Sequence, residues 1–349
     1  MPGATWWVAS AAGVVSRGAV GEAARVPASE PAREDVPYDL ASLTKPLCTA
    51  LVAALLEQDG ALALDAPAAS FLGELAGTPY GSKSLLDLGS HRAGLPAWLP
   101  LYLEASTLEH FVARIAAVPA LAPSSGEVYS DLGYIVLGAA LERAAGSTLE
   151  RLFEERVVRP LGLTDIGFCT AGHPFDRAAP TERGNEYERR RAGEAGIGFG
   201  WRSEVIRGAV HDVNAHTLGG VAGHAGLFGT ASGVAAIAAA ILSGEGLGLG
   251  VRARRRLLQP TAAGGHRTFG MVLASGSNAA RGVLPHPCPG HTGFTGTSLW
   301  LDPARRETYI LLTNRVHPEV RECDFQSERR AFHGVARGMT GVGGPLPLQ

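Results

Sequence analysis

β-prone segments sit only at the two ends of this 349-residue chain, and that placement restricts its fold more than any other feature. Residues 5–10 and 13–20 are short β-prone runs separated by small residues, the pattern of a hairpin. The pattern returns at 268–274, 293–301 and 306–313, with Asp302-Pro303-Ala304-Arg305 as a turn between the last two. Between the ends, helical spacing marks 107–118, 131–145, 148–158, 231–243 and 250–258, and a last amphipathic stretch covers 319–338. Residues 21–40 are polar and Pro-rich and read as loop. Residues 171–229, rich in Gly, His and Arg, read mostly as ordered loop. This order predicts an α+β fold: an antiparallel sheet flanked by helices and built from both chain ends, with a mostly helical inserted lobe. The expected division is 1–58 with 230–339 for the sheet domain and 59–229 for the lobe. A Gly/Pro tail over 340–349 is expected to fray.

The hydrophobic content of 46% can build a substantial core, and the net charge of −2 gives no basic surface for nucleic acid. The densest basic run, Arg252, Arg254, Arg255 and Arg256, reads as one solvated helical face. Cys48, Cys169, Cys288 and Cys323 are widely spaced, with no Cys-x-x-Cys pair, so free buried thiols in a reducing compartment are expected. The N-terminus lacks a basic region followed by a long apolar one, and no apolar run reaches spanning length. The expectation is a cytoplasmic protein without a membrane partner. Its oligomeric state is not legible.

Only two lysines occur in the chain, and one of them, Lys45, lies three residues after Ser42. Arg keeps its proton in proteins, whereas Lys releases its own when its surroundings disfavour the charge. Leu43, Leu47, Leu51, Ala54 and Leu55 recur at helical spacing from Ser42 until Gly60. Pro46 is tolerated only near a helix start, where N–H groups have no intrahelical partner, so Ser42 belongs to the first turn. A spacing of three puts Ser42 and Lys45 on one face. The positive end of the helix favours negative charge on the Ser42 oxygen. The same field, with burial, is expected to disfavour the ammonium form of Lys45 and make it a base.

Two further clusters carry chemistry. Tyr129-Ser130-Asp131 precedes an apolar helix, where Asp131 has an obvious role as N-cap. His291-Thr292-Gly293 leads into a strand, and its glycine permits close approach of a ligand.

The three clusters together resemble the serine β-lactamase and penicillin-binding protein superfamily, in which Ser-x-x-Lys, a Ser-Asp-Asn type motif and Lys-Thr-Gly follow in that order. The branch of class C β-lactamases, esterases and D-peptidases, with Tyr-x-Asn second and Lys- or His-Thr-Gly third, is the most similar. Residues 38–45, Leu86 to Pro96, Arg159-Pro160-Leu161-Gly162-Leu163 and Ala222 to Phe228 also resemble stretches of that family. The resemblance covers about 4–338 and implies a serine hydrolase acting through an acyl-enzyme on a small ester, amide or D-amino-acid peptide. It implies Ser42 as nucleophile, Lys45 and Tyr129 sharing the base work, and the N–H groups of Ser42 and Phe294 as oxyanion hole. Asp131, His291, Thr292 and Gly293 would bind substrate. Asp131 stands where the family has Asn and cannot donate when ionised. His291 stands where others have Lys, and an imidazole titrating near pH ~6.5 would read substrate charge only weakly.

No cofactor or metal is expected. His211, Asp212, His216 and His224 lack a recognised ligand spacing and suit a site-lining loop better. Residues 244–250 are Gly-rich but follow a helix, which excludes a dinucleotide loop. The alternatives are a catalytically inactive binding protein on the same fold and a true class C-type β-lactamase. The intact set of Ser42, Lys45 and Tyr129 favours an enzyme.

Overall fold

The structure is a computed structural model that describes residues 1–122, 127–170, 175–274, 278–285, 287–321 and 323–340. Except for Thr340, the tail expected to fray lies outside the described residues. Among the described residues the strands are β1 (Gly3–Ser10), β2 (Gly13–Ala24), β3 (Glu30–Pro31), β4 (Tyr38–Asp39), β5 (Ile166–Phe168), β6 (Leu227–Gly229), β7 (Val272–Leu273), β8 (Pro289–Thr292), β9 (Ser298–Asp302) and β10 (Glu307–Thr313). The α-helices among them are α1 (Leu51–Gln58), α2 (Leu85–Gly89), α3 (Leu108–Ala116), α4 (Asp131–Ala145), α5 (Leu149–Phe153), α6 (Arg159–Leu161), α7 (Glu186–Ala192), α8 (Val213–Thr217), α9 (Ala231–Ser243), α10 (Val251–Leu258) and α11 (Phe325–Met339).

Both chain ends build one seven-stranded sheet in the order β3-β2-β1-β10-β9-β8-β7, antiparallel at every pairing. The period-two alternation of strands decides its two faces. Leu299, Leu301, Ile310 and Leu312 turn to one face and join Val234, Ile237 and Ile241 of α9. Val8, Trp300 and Tyr309 turn to the other and meet Ala336 of α11. The central strands β9 and β10 are buried throughout, as a sheet covered on both faces requires.

The structure departs from the sequence expectations in specific places. Of the strand expected over 293–301 only the part from Ser298 is strand, as β9, because Gly293 to Thr297 form a turn between β8 and β9, closed by Gly293 N–H to Thr297 O (2.8 Å). Gly296 has φ +105°, which an extended strand does not allow. Of 268–274 only Val272 and Leu273 pair. The last helix starts at Phe325 rather than 319. The loop expected over 21–40 contains β3, β4 and the end of β2. The loop over 171–229 contains α7, α8 and β6. A small sheet, β4-β6-β5, ties these segments to the approach to Ser42. Cys48, Cys169 and Cys288 are buried free thiols, but Cys323 is exposed. No described helix is long and apolar enough to cross a membrane.

Candidate active site

The segment that carries Ser42 is aimed by its backbone. After β4 the chain turns at Ala41, a non-glycine residue at φ +48°, a conformation costing roughly 1–2 kcal/mol. Its neighbours hold it there. Asp39 Oδ1 accepts the Ala41 N–H at 2.8 Å, and Thr44 Oγ1 donates to Ala41 O at 2.7 Å. A 3₁₀ turn over Ala41–Leu43 leads into a π-helical segment, Lys45–Ala50, and then into α1. Pro46 sits at the start of that segment, where its missing N–H has no consequence. Ser42 thus lies in the first turn, as its spacing predicts, and Lys45 beneath it.

Lys45 is fully buried. Its Nζ donates to Ser42 Oγ (3.0 Å) and to His224 O (3.0 Å), and forms an ion pair with Asp131 Oδ1 at 2.7 Å. It also lies 5.0 Å from the Tyr129 ring centre and 5.6 Å from that of Tyr134. Burial pushes the amine down, but Asp131 and Tyr129 more than offset it and hold the ammonium above its ordinary range. The expected neutral base is therefore a charged lysine at rest. Burial is the largest single effect, but the carboxylate and the phenol in contact with the amine together outweigh it.

Tyr129 Oη donates to Ser42 Oγ at 2.9 Å. Burial raises the phenol above its usual range despite Lys45 beside it, so it keeps its proton. The ring is braced by His91 at 4.6 Å between centres. Ser130 caps α4 by accepting the Gly133 N–H at 3.2 Å and donates to Pro96 O at 2.6 Å. The cap is Ser130, one residue before the expected Asp131, and this leaves Asp131 free to face Lys45. The Ser130 N–H donates to His91 Nδ1 at 3.0 Å. Burial and the cations Arg267 and Lys45 press His91 well below its usual value, so it accepts as a neutral ring.

The turn after β8 docks against the segment before Ser42. Thr295 Oγ1 donates to Asp39 O (2.7 Å) and Thr297 Oγ1 to Leu40 O (3.1 Å). A Cβ on Gly293 would lie 2.1 Å from Thr297 Oγ1 and 2.7 Å from Leu40 O, so only glycine permits this approach. Buried Arg329 donates to Gly293 O (2.5 Å) and Thr297 O (3.0 Å), and Arg315 Nε donates to Phe294 O (2.8 Å). Phe294 therefore belongs to a braced turn rather than a strand. Neither the Ser42 nor the Phe294 N–H has a protein acceptor among the described residues.

His291 Nδ1 bonds Thr292 O at 2.8 Å. A carbonyl only accepts, so Nδ1 carries the proton and Nε2 is left with a lone pair. Burial, with Lys45 and Arg267 nearby, lowers its pKa to about 3. The expected titration near pH ~6.5 does not occur, because desolvation and two cations oppose a third charge.

Ser42, Tyr129, Asp131, His291, Thr292, Gly293 and Phe294 all line one cleft of about 730 Å³, together with Arg267, Arg315 and Arg329. Those three arginines carry no sequence signal. Arg267 precedes β7, Arg315 follows β10 and Arg329 lies on α11, so the tertiary fold brings them here. His211 pairs with Glu182 and His224 with Asp212, each at 2.9 Å, while His216 is outside both pairs. Among the described residues no group of three or more His, Cys, Asp or Glu side chains is placed to hold a metal ion.

The profile of the beta-lactamase family matches residues 1–331. A protein of Escherichia coli (strain K12), provisionally named a D-alanyl-D-alanine carboxypeptidase, is 33% identical over 310 residues, spanning 81% of this chain and 70% of that one. Among solved structures, a novel penicillin-binding protein homologue from Caulobacter crescentus has a TM-score of 0.72 at 21% identity, over 96% of this chain and 92% of that one. EstCE1, a hydrolase with promiscuous acyltransferase activity, has a TM-score of 0.69 at 23% identity, over 97% and 93%. The two structures speak for the fold, whose sheet from both chain ends is described above. With the family profile matching nearly the whole length and a relative above 30% identity across most of it, this chain belongs to the beta-lactamase family.

Proposed function

We propose that the protein is a serine hydrolase that acylates Ser42 and acts on a small ester, amide or short peptide. The observation that carries this reading is the pair of short contacts at one hydroxyl: Tyr129 Oη at 2.9 Å and Lys45 Nζ at 3.0 Å from Ser42 Oγ. A serine kept for structure alone has no need of a half-buried phenol and a buried ammonium together.

The resting charges order the proton steps. Lys45 is an ammonium and Tyr129 a phenol, so neither is a free base. Ser42 Oγ attacks the substrate carbonyl carbon as its proton passes to Tyr129 Oη, while Tyr129 gives its own proton to the leaving nitrogen or oxygen. The Lys45 ammonium stabilises the negative charge that builds on both hydroxyl oxygens. The N–H groups of Ser42 and Phe294 take the carbonyl oxygen as it becomes an oxyanion. The C–N or C–O bond then breaks, and the leaving group departs neutral with the relayed proton. Water attacks the acyl-enzyme by the reverse route: its proton travels through Tyr129 back to Ser42 Oγ, and the acid is released. Asp131 holds Lys45 charged and in place. His291 offers an acceptor lone pair to the substrate.

The name of the E. coli relative, a D-alanyl-D-alanine carboxypeptidase, and the hydrolase title of EstCE1 support peptide and ester as substrate classes. Ser42→Ala is expected to abolish hydrolysis of p-nitrophenyl acetate while circular dichroism stays unchanged. Retained turnover in a folded Ser42→Ala variant would sink the assignment.

A further inference from the structure

The Phe294 N–H belongs to the same peptide unit as the Gly293 carbonyl. That unit is trans, so its N–H and C=O point in opposite directions. Whatever holds the Gly293 oxygen therefore aims the Phe294 N–H. Two donors hold it. Gly296 N–H bonds it at 3.1 Å and closes the turn, and Arg329 Nη2 reaches it at 2.5 Å from α11. The same nitrogen donates to Thr297 O at 3.0 Å, and that oxygen also takes the Gly293 N–H at 2.8 Å. Thr295 and Thr297 bond the backbone oxygens of Asp39 and Leu40, just before Ser42. Arg329 and the segment before Ser42 thus grip the same turn.

The placement of Arg329 is unfavourable on its own. The residue is 5% exposed and its Nε has no partner. Burial and the neighbouring Arg315 push its pKa down to about 9, with no carboxylate among the described residues opposing them. The Phe325 ring, 5.1 Å away, supports the guanidinium but carries no net charge. At pH 7 Arg329 is still a cation, buried without a counter-ion. Buried charges are otherwise paired, so a bare one beside a reactive hydroxyl points to a use of its field. A charge-assisted hydrogen bond to a carbonyl polarises the peptide and makes its N–H a stronger donor.

We propose that Arg329 is a positioning residue for the oxyanion hole. Through the Gly293 carbonyl it aims the Phe294 N–H at the developing oxyanion and strengthens it as a donor. The proposal rests on the Ser42 acyl-enzyme reading and deepens it. It also gives Arg329 a role apart from its two neighbours. Arg315 bonds Phe294 O, which belongs to the next peptide unit, and Arg267 pairs with Glu127 at 3.6 Å.

Two readouts test it. The first is kcat/KM for phenyl acetate and meta-acetoxybenzoate, which share an acyl group and differ by a carboxylate on the leaving group. Arg329→Met is expected to lower both by about 10- to 100-fold, less than the loss of a whole oxyanion-hole donor. A loss confined to meta-acetoxybenzoate would make Arg329 a ligand for substrate carboxylate and overturn the proposal. The second is the infrared carbonyl band of a cinnamoyl acyl-enzyme, which the donors of the hole pull to lower frequency. In Arg329→Met the band is expected to move to higher frequency, and further than in Arg315→Met, which removes a cation from the next peptide. Equal movement in both variants would show a general field, and an unmoved band in Arg329→Met would show a residue that only supports the fold; either overturns the proposal. Arg329→Lys keeps the charge on a shorter stem and is expected to fall between wild type and Arg329→Met in both readouts. If Arg329→Met does not fold, a wild-type band in a folded Arg329→Lys would still overturn the proposal. Absence of an acyl group on Ser42 in the wild type would overturn the underlying reading instead.

Discussion

Asp131→Asn removes one charge of a buried pair and leaves the other in place. Lys45 is wholly buried, and Asp131 Oδ1 lies 2.7 Å from its ammonium with 19% of the aspartate side chain exposed. Asparagine keeps an oxygen at that point but no charge. Breaking a buried ion pair from one side costs about 3–5 kcal/mol, and the retained acceptor and partial exposure favour the lower end, about 3 kcal/mol near pH 6. The sign of the pH dependence follows from the two proteins' Lys45. In the wild type, Asp131 and Tyr129 outweigh burial and hold the amine above its ordinary range. That stability is complete below the unfolded value, about 10.4, and is lost only as pH climbs through the folded one. In the variant, burial acts without Asp131, and folded Lys45 sheds its proton at lower pH than the unfolded chain does. The unfolded state then binds more protons, so the variant gains stability as pH rises. The gap between the proteins is expected to narrow from pH 6 to pH 9.5. Guanidinium denaturation followed by tryptophan fluorescence at several pH values measures it. A gap constant across that range would refute the charged pair. One below about 1 kcal/mol throughout would show that the contact counts no more than a surface bridge.

Three further outcomes follow from the site. Lys45→Arg is expected to lose at least about 100-fold in kcat, nearly as much as Lys45→Ala, because a planar guanidinium does not fit the buried point shared by Ser42 Oγ, Asp131 and His224 O; retention of most activity would reduce Lys45 to a generic positive charge. Tyr129→Phe removes the proton relay at 2.9 Å and is expected to lower kcat by about 10²–10⁴-fold in a steady-state ester assay, with unchanged turnover contradicting the relay. Because His291 is held neutral down to about pH 3, the kcat/KM ratio of an anionic β-lactam to a neutral ester is expected to stay free of any His291 titration between pH ~5.5 and ~8. A step near pH ~6.5 that vanishes in His291→Gln would show that the ring titrates in solution.

What could be read from the sequence was local, and what could not was set by distant neighbours. Ser42 and Lys45 are three residues apart at a helix start, and their meeting follows from helix geometry alone. The sheet from both chain ends follows from where the β-prone runs lie. The charge on Lys45 depends on Asp131, 86 positions away, and the neutrality of His291 on its burial in the folded chain and then on Lys45 and Arg267. No window of sequence contains those pairs. The β8–β9 turn was hidden because Phe294 to Trp300 has good strand composition, and only the close approach of Gly293 to Leu40 O breaks the strand. Strands β4, β5 and β6 are two or three residues long, too short for periodicity to register. Ser130 and Asp131 are both good capping residues, and which one caps α4 is decided by a shift of one position.

The central claim is that Ser42 carries the acyl group. Reaction with a fluorophosphonate, followed by intact mass and peptide mapping, tests it most directly. One label per chain is expected on the wild type, on the peptide containing Ser42, with none on Ser42→Ala and slower labelling of Tyr129→Phe. A label on any other residue, or equal labelling of Ser42→Ala, would contradict it.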